Sequence, residues 1–72
     1  MGKMDLDDLH NLFTYHAPKG DQTERYGQIR EAGERFAMVI LCSCPASADT
    51  TAAIRKVREA MMTANSAIAC NE

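Results

Sequence analysis

An all-α fold, with a short N-terminal helix and a long antiparallel helical hairpin, is predicted from three observations. Apolar residues recur every three or four positions, which is the spacing of one helix face. The two prolines, Pro18 and Pro45, mark breaks between helical segments. The second break is short, and a short connection makes two long helices antiparallel neighbours. We therefore expect residues 1–72 to form one small helical domain.

The first helix is expected to be short, because Leu6, Leu9 and Phe13 share one face shortly before the first break. The second helix is expected to begin at Asp21, whose side chain would cap the free amides while Glu24 completes a capping box. One apolar stripe at three- and four-residue spacing follows along this helix: Tyr26, Ile29, Gly33, Phe36 and Ile40.

The third helix is expected to be capped by Ser47 or Asp49 and to extend to about Ala69. Its stripe is equally regular and comprises Ile54, Val57, Met61, Ala64 and Ile68. Gly27 and Gly33 interrupt the second helix, where each glycine costs about 1 kcal/mol relative to alanine. We interpret Gly33 as a tight helix crossing. Gly27 is left open between a crossing and close approach by a ligand or by the Pro18 loop.

A homo-oligomer is predicted from residues 36–42, which are apolar on every side of the second helix. A helix that is apolar all round must be buried all round, whereas a two-helix hairpin covers only one face. A monomer of this length would also bury only about 60% of the surface that its unfolded chain exposes. Other copies of the chain are therefore expected to surround this segment.

Composition excludes several classes of protein. The net charge of −2 argues against duplex DNA or RNA as a partner, because such binding needs a cationic surface. No apolar run approaches the roughly 20 residues that span a bilayer, and the acidic start is unlike a secretory signal, so we expect a soluble, cytosolic protein without a membrane partner.

Cys42, Cys44 and Cys70 are expected to be reduced thiols, with Cys42 packed as a small apolar group. Neither Cys42-x-Cys44 nor Asp7 with His10 makes a convincing metal site, so no metal or cofactor is expected.

Candidate ligand contacts concentrate around the first break. Aromatic and basic side chains that can stack on bases and meet phosphates lie close together there: Tyr15, His16, Lys19, Arg25, Tyr26 and Arg30. Tyr15 and His16 have the alternative role of packing the first helix onto the second. Arg30 has the alternative of a surface ion pair with Glu34. No catalytic constellation is present, so no enzyme activity is expected.

Polar residues of the third helix have plainer interpretations. The basic run Arg55, Lys56 and Arg58 is typical of a solvated face. Asn65 and Asn71 are interpreted as polar positions of a frayed helix end. A buried Asn65 would instead need hydrogen-bond partners from a neighbouring subunit or from a base edge.

Several short strings in fixed order cover nearly the whole chain. They are Phe13-Thr14-Tyr15-His16-Ala17-Pro18, Gly20-Asp21-Gln22, Arg25-Tyr26, Ile29-Arg30, Cys44-Pro45-x-Ser47 and Ala64-Asn65-x-Ala67-Ile68-Ala69-x-Asn71-Glu72. Together they resemble the phage anti-CBASS cyclic-oligonucleotide sponges. The resemblance implies a hexamer that holds cyclic dinucleotides, such as 3′,3′-cyclic GMP-AMP, between protomers without cleaving them. Some members of that family also hold cyclic trinucleotides.

The resemblance also implies roles for individual residues. Tyr15 would stack on a base and Arg30 would meet a phosphate. The same pocket would be lined by His16, Pro18, Lys19, Arg25 and Tyr26. Cys70 stands where relatives commonly have arginine, so trinucleotide binding is the weaker expectation. The alternative function is that of a small helical oligomer that inhibits a host or phage protein.

Overall fold

Three helices and no strand make up residues 3–72, which are the residues that the computed structural model describes. The helices are α1 (Leu6–Phe13), α2 (Gln22–Ser43) and α3 (Ala48–Asn71). This arrangement confirms the predicted all-α fold with a short N-terminal helix and a long hairpin. The chain is elongated, with principal extents of 44 × 30 × 19 Å. Its radius of gyration is 15.3 Å, against about 11 Å for a compact domain of this length.

The two hairpin helices are antiparallel, and α1 folds back onto their open end. At this end the Gln22 side-chain amide donates to the Glu72 carboxylate at 3.4 Å, while residues 44–47 link the helices at the other end. The Asn11 side chain of α1 donates to the Cys70 carbonyl oxygen at 2.9 Å. The end of α3 therefore contacts both α1 and the start of α2.

Side-chain caps explain where α1 and α3 begin. The Asp5 carboxylate accepts from the Asp8 N–H at 2.8 Å, and the Asp8 carboxylate accepts from the Asp5 N–H at 3.3 Å. This capping box was not predicted, although the acidic residues that form it suit a helix N-terminus. Ser47 caps α3 as predicted, because its hydroxyl accepts from the Thr50 N–H at 3.2 Å. The helix extends to Asn71, slightly beyond its expected end.

The capping box predicted for α2 is wrong. Asp21 occupies the N-cap position but makes no capping bond, and its carboxylate accepts from Arg25 Nε at 3.1 Å. The Asp21 backbone lies at φ −90° and ψ 13°, outside the extended region from which an N-cap side chain reaches the amides of the first turn. Gln22 orders the turn instead. Its Oε1 accepts from the Lys19 N–H at 3.1 Å, and its own N–H donates to the Lys19 carbonyl oxygen at 3.2 Å.

The helices cross most closely at Gly33, where a methyl group would lie 3.5 Å from the Met61 Cβ. The predicted tight crossing at Gly33 is thereby confirmed, and all five residues of the predicted α3 stripe are half-buried. Phe36 is a correction to the α2 stripe, because its side chain is 59% exposed. Ala37 lies half-buried in its place. A step of four residues from Gly33 returns closer to the same helix face than a step of three.

The isolated protomer has no buried apolar side chain among residues 3–72. Exposed fractions along the apolar segment are 59% for Phe36, 57% for Met38, 57% for Val39 and 64% for Leu41. Cys42, expected to be packed, is exposed as well. The accessible area of 5921 Å² exceeds that of a compact monomer of this mass by about 1,500 Å². A surface of this kind favours association, so the homo-oligomer stays a prediction that the fold supports.

Two alanine substitutions are expected to change stability in opposite directions. Nothing lies within 4 Å of a methyl group added at Gly27, so Gly27→Ala should stabilise α2 by about 1 kcal/mol through helix propensity. Gly20 has a φ of 60°, so Gly20→Ala should destabilise by about 1–2 kcal/mol. Urea unfolding of the two variants and the parent chain measures both effects. A destabilising Gly27→Ala would contradict the first expectation and indicate that a neighbouring chain approaches this face.

Candidate functional site

Residues 14–21, which connect α1 and α2, form an irregular segment that we call the 14–21 loop. The backbone is extended at Thr14, and Gly20 closes the loop in the left-handed region at a φ of 60°. The Tyr15 ring is 83% exposed. It does not pack α1 onto α2, so within the protomer the alternative role as a core residue is wrong for Tyr15. An exposed aromatic face is available for stacking on a base.

His16 anchors the start of this loop. Its side chain is half-buried, and Nε2 lies 2.9 Å from the Asn11 carbonyl oxygen. Because a carbonyl oxygen only accepts, Nε2 carries the proton and donates. The bond satisfies one of the free carbonyl groups at the end of α1. The imidazole thus holds the loop against α1, whereas the packing of α1 onto α2 considered for His16 stays a prediction.

Lys19 and Pro18 lie exposed on the outer part of the loop. The Lys19 backbone is held by Gln22 through both its N–H and its carbonyl oxygen, at 3.1 and 3.2 Å. The Gln22 side chain is buried, with 3% exposed. The Lys19 ammonium group therefore projects from an ordered backbone beside the first turn of α2. A cation and a helix N-terminus at one place favour an anionic ligand.

The Arg25 guanidinium is hydrogen-bonded to two carboxylates of the same chain. Its Nη1 donates to Glu72 Oε2 at 2.9 Å, its Nη2 donates to Glu72 Oε1, and its Nε donates to Asp21. The hydrogen bond to Glu72 raises the pKa of Arg25 above its ordinary value. Hydrogen bonds from Arg25 and Gln22 lower the pKa of Glu72 from 4.5 to about 2. The pair joins the first turns of α2 to the end of α3 and is charged at neutral pH.

Arg30 is exposed and lies further along α2. It lies eight positions after Gln22, which is about 12 Å along the helix axis. The only ion pairs within residues 3–72 are those of Arg25, so the surface pair considered between Arg30 and Glu34 does not form. Arg30 instead borders a cavity of about 270 Å³ between α2 and α3, together with Glu34 and Arg58. Its guanidinium is available for a phosphate.

The predicted site residues lie on two consecutive segments of the chain. The 14–21 loop and the first turns of α2 carry Tyr15, His16, Pro18, Lys19, Arg25 and Tyr26. Tyr26 is half-buried beside the turn that Gln22 orders. Arg30 lies four residues after Tyr26, one helical turn further along α2.

Sequence reasoning missed the residues that hold this group in place. Asn11, Gln22 and Glu72 make the contacts that join the loop region to α3. Their partners lie 47 to 59 positions away along the chain. Only the antiparallel register of the hairpin, which places the start of α2 beside the end of α3, could have indicated the pairing.

The rest of α3 adds no reaction chemistry. Arg55, Lys56 and Arg58 are exposed, as expected of a solvated face. Asn65 is the exception to the plain interpretation of this helix. Its Oδ1 is buried with no hydrogen-bond partner in the described part of the chain, while its Nδ2 lies 3.7 Å from the Met61 sulfur. Such an amide fits the alternative in which a neighbouring subunit or ligand supplies the partner. Residues 3–72 contain no group of three metal-ligating side chains placed to hold an ion.

The fold and the site define a class of protein: a small helical hairpin that presents an exposed aromatic ring and nearby cations from one ordered loop and the helix that follows it. A protein-family model described as "Acb2/Tad1, hairpin domain" matches residues 5–69. The chain therefore belongs to the Acb2/Tad1 family, the anti-CBASS cyclic-oligonucleotide sponges. The resemblance inferred from the sequence is confirmed. Neither the curated proteins nor the solved structures gave a match.

Membership of this family supports a general role as a sponge that sequesters cyclic nucleotides, in contrast to an enzyme. None of the helices described over residues 3–72 combines the length and the apolar character needed to cross a bilayer.

Proposed function

We propose that the chain forms a homohexamer that binds cyclic dinucleotides, such as 3′,3′-cyclic GMP-AMP, in pockets between protomers. Binding without cleavage removes the messenger and blocks CBASS antiviral signalling in the host bacterial cytosol. Family membership supports the sponge role in general. The single observation that carries the ligand assignment is the Tyr15 ring, 83% exposed on a loop whose two ends are held by hydrogen bonds.

Both stacking and electrostatic attraction would hold the ligand. Tyr15 stacks on a base, while the planar guanidinium of Arg30 donates hydrogen bonds to a phosphate. The remaining site residues line the pocket around these two contacts: His16, Pro18, Lys19, Arg25 and Tyr26. Arg25 would line the pocket as a fixed cation, since Glu72 and Asp21 engage all three of its guanidinium nitrogens.

The symmetry of the ligand supports a pocket between protomers. A cyclic dinucleotide has an approximate two-fold axis, and a two-fold protein interface presents each of its residues twice. One Tyr15 and one Arg30 per chain would then serve two bases and two phosphates.

The surface of the protomer supports association as well. An apolar groove of about 590 Å³ between α2 and α3 opens beside Phe36, whose ring is 59% exposed. Only Lys56 contributes a charged side chain to the residues that line this groove. A second copy with the same apolar segment suits such a surface.

Cyclic trinucleotides are the weaker part of the proposal. Cys70 is half-buried, its carbonyl oxygen accepts from Asn11, and its thiol lies 3.8 Å from the Asn11 carbonyl oxygen. A neutral, engaged residue at this position supplies no charge for a third phosphate. We therefore expect dinucleotides to bind more tightly.

Calorimetry against a panel of cyclic dinucleotides, with light scattering for the oligomeric mass, tests the proposal. At least one member should bind with a Kd below the micromolar range, and heat should release it intact for mass spectrometry. If no member binds and the thermal midpoint stays unchanged on adding them, the assignment of cyclic dinucleotides as ligands is wrong. A stable protein partner recovered under those conditions would favour the alternative of an inhibitor of a host or phage protein.

A further inference from the structure

The end of α3 contacts the residues that flank the 14–21 loop on both sides. On the α1 side, the Asn11 side chain donates to the Cys70 carbonyl oxygen at 2.9 Å. The Asn11 carbonyl oxygen in turn accepts from His16 Nε2 at 2.9 Å. This chain of two hydrogen bonds links the start of the loop to the last turn of α3.

On the α2 side, Gln22 is the connecting residue. Its Oε1 accepts from the Lys19 N–H at 3.1 Å, and its Nε2 donates to Glu72 Oε1 at 3.4 Å. The same carboxylate receives two further hydrogen bonds from Arg25. Gln22 is one of only two buried residues among residues 3–72, with 3% of its side chain exposed. A buried amide bonded on both edges holds one orientation, because rotation would leave both partners unsatisfied.

We propose that Gln22 and Glu72 are positioning residues for the ligand site, and that residues 70–72 hold the 14–21 loop in the conformation that presents Tyr15. This inference rests on the proposed function, since it concerns the same site. A loop that is ordered before binding spares the ligand the entropy cost of ordering it. Neither residue needs to touch the ligand for this effect.

Glu72 is suited to this role by its charge and by its two oxygens. One carboxylate accepts from the Arg25 guanidinium and from the Gln22 amide together, which fixes both side chains at the start of α2. Two parallel hydrogen bonds between a guanidinium and a carboxylate fix a planar geometry, which a single hydrogen bond does not. Gly20, with its φ of 60°, lets the backbone turn back so that Lys19 reaches Gln22.

The test combines binding with amide exchange in Glu72→Ala and Gln22→Ala. Because the Lys19 N–H is the donor to Gln22, its hydrogen exchange measured by NMR reports directly on the proposed support. In both variants this exchange should become faster, and the Kd for the cyclic dinucleotide that the parent binds should rise by about tenfold, mainly through faster dissociation. Glu72→Gln keeps an acceptor oxygen and should restore most of the protection and the affinity. Glu59→Ala removes the same charge from an exposed position of α3 and should leave both quantities unchanged.

The outcomes separate this inference from the proposed function. If Glu72→Ala binds the dinucleotide as tightly as the parent chain while Lys19 exchange accelerates, the positioning role is wrong and the sponge role stands. If Lys19 exchange does not change in Glu72→Ala, the support itself is absent, whether or not a nucleotide binds. Failure of the parent chain to bind any dinucleotide overturns the proposed function instead. Should the buried Gln22→Ala fail to fold, the partly exposed Glu72 variants decide the question alone.

Discussion

Tyr15→Ala is expected to abolish cyclic dinucleotide binding while the oligomer persists. The ring is 83% exposed in the protomer, so its removal should change the free energy of unfolding by less than about 0.5 kcal/mol. Each stack of an aromatic ring on a base contributes about 1–3 kcal/mol, and a two-fold pocket uses the ring twice. The expected rise in Kd is therefore roughly 30-fold to 10,000-fold. Calorimetry measures the affinity, and light scattering measures the oligomeric mass.

Tyr15→Phe is the matched control, because it keeps the stacking face and removes only the hydroxyl. It should bind within a few-fold of the parent chain. If Tyr15→Ala instead dissociates the oligomer, the ring belongs to a contact between protomers, and any loss of nucleotide binding is secondary. If both variants bind equally weakly, the hydroxyl group and not the ring face makes the important contact.

The helices and their contact faces could be predicted because their signals are local. The α3 stripe from Ile54 to Ile68 follows the helical period, and Ser47 caps the helix as its residue type indicates. The Asp21 prediction failed at the same local level. The Asp21 backbone is not in the extended conformation of a capping residue, and its carboxylate accepts from Arg25 Nε instead. A capping pattern in sequence contains no information about this backbone conformation.

The supports of the site could not be predicted, because they join distant parts of the chain. Gln22 was part of a motif, but its burial depends on Glu72 and on the register of the hairpin. Arg25 could be recognised as a cation near the loop, whereas its ion pair with Glu72 appears only when α2 and α3 are paired. The exposed position of Tyr15 also needed the structure, since an aromatic residue near a helix end more often packs than projects.

Arg30→Ala is expected to weaken dinucleotide binding at least as much as the loss of Tyr15. Each charge-assisted hydrogen bond to a phosphate contributes about 1.5–3 kcal/mol, and a two-fold pocket forms the contact twice. The Kd should therefore rise by roughly 100-fold to 10,000-fold, and its dependence on salt concentration should become weaker. Arg30 makes no ion pair within residues 3–72, so its removal should leave the thermal midpoint of the nucleotide-free protein close to that of the parent.

Two variants separate a phosphate contact from a general effect of charge. Arg35→Ala removes the same charge from an exposed position of α2 and should bind like the parent chain. Arg30→Lys keeps the charge but loses the planar fork of donors, so its affinity should be intermediate. Equal affinities of Arg30→Ala and Arg35→Ala would place Arg30 outside the pocket. Its position beside the 270 Å³ cavity between α2 and α3 would then mark a contact between protomers, which the oligomeric mass of Arg30→Ala would reveal.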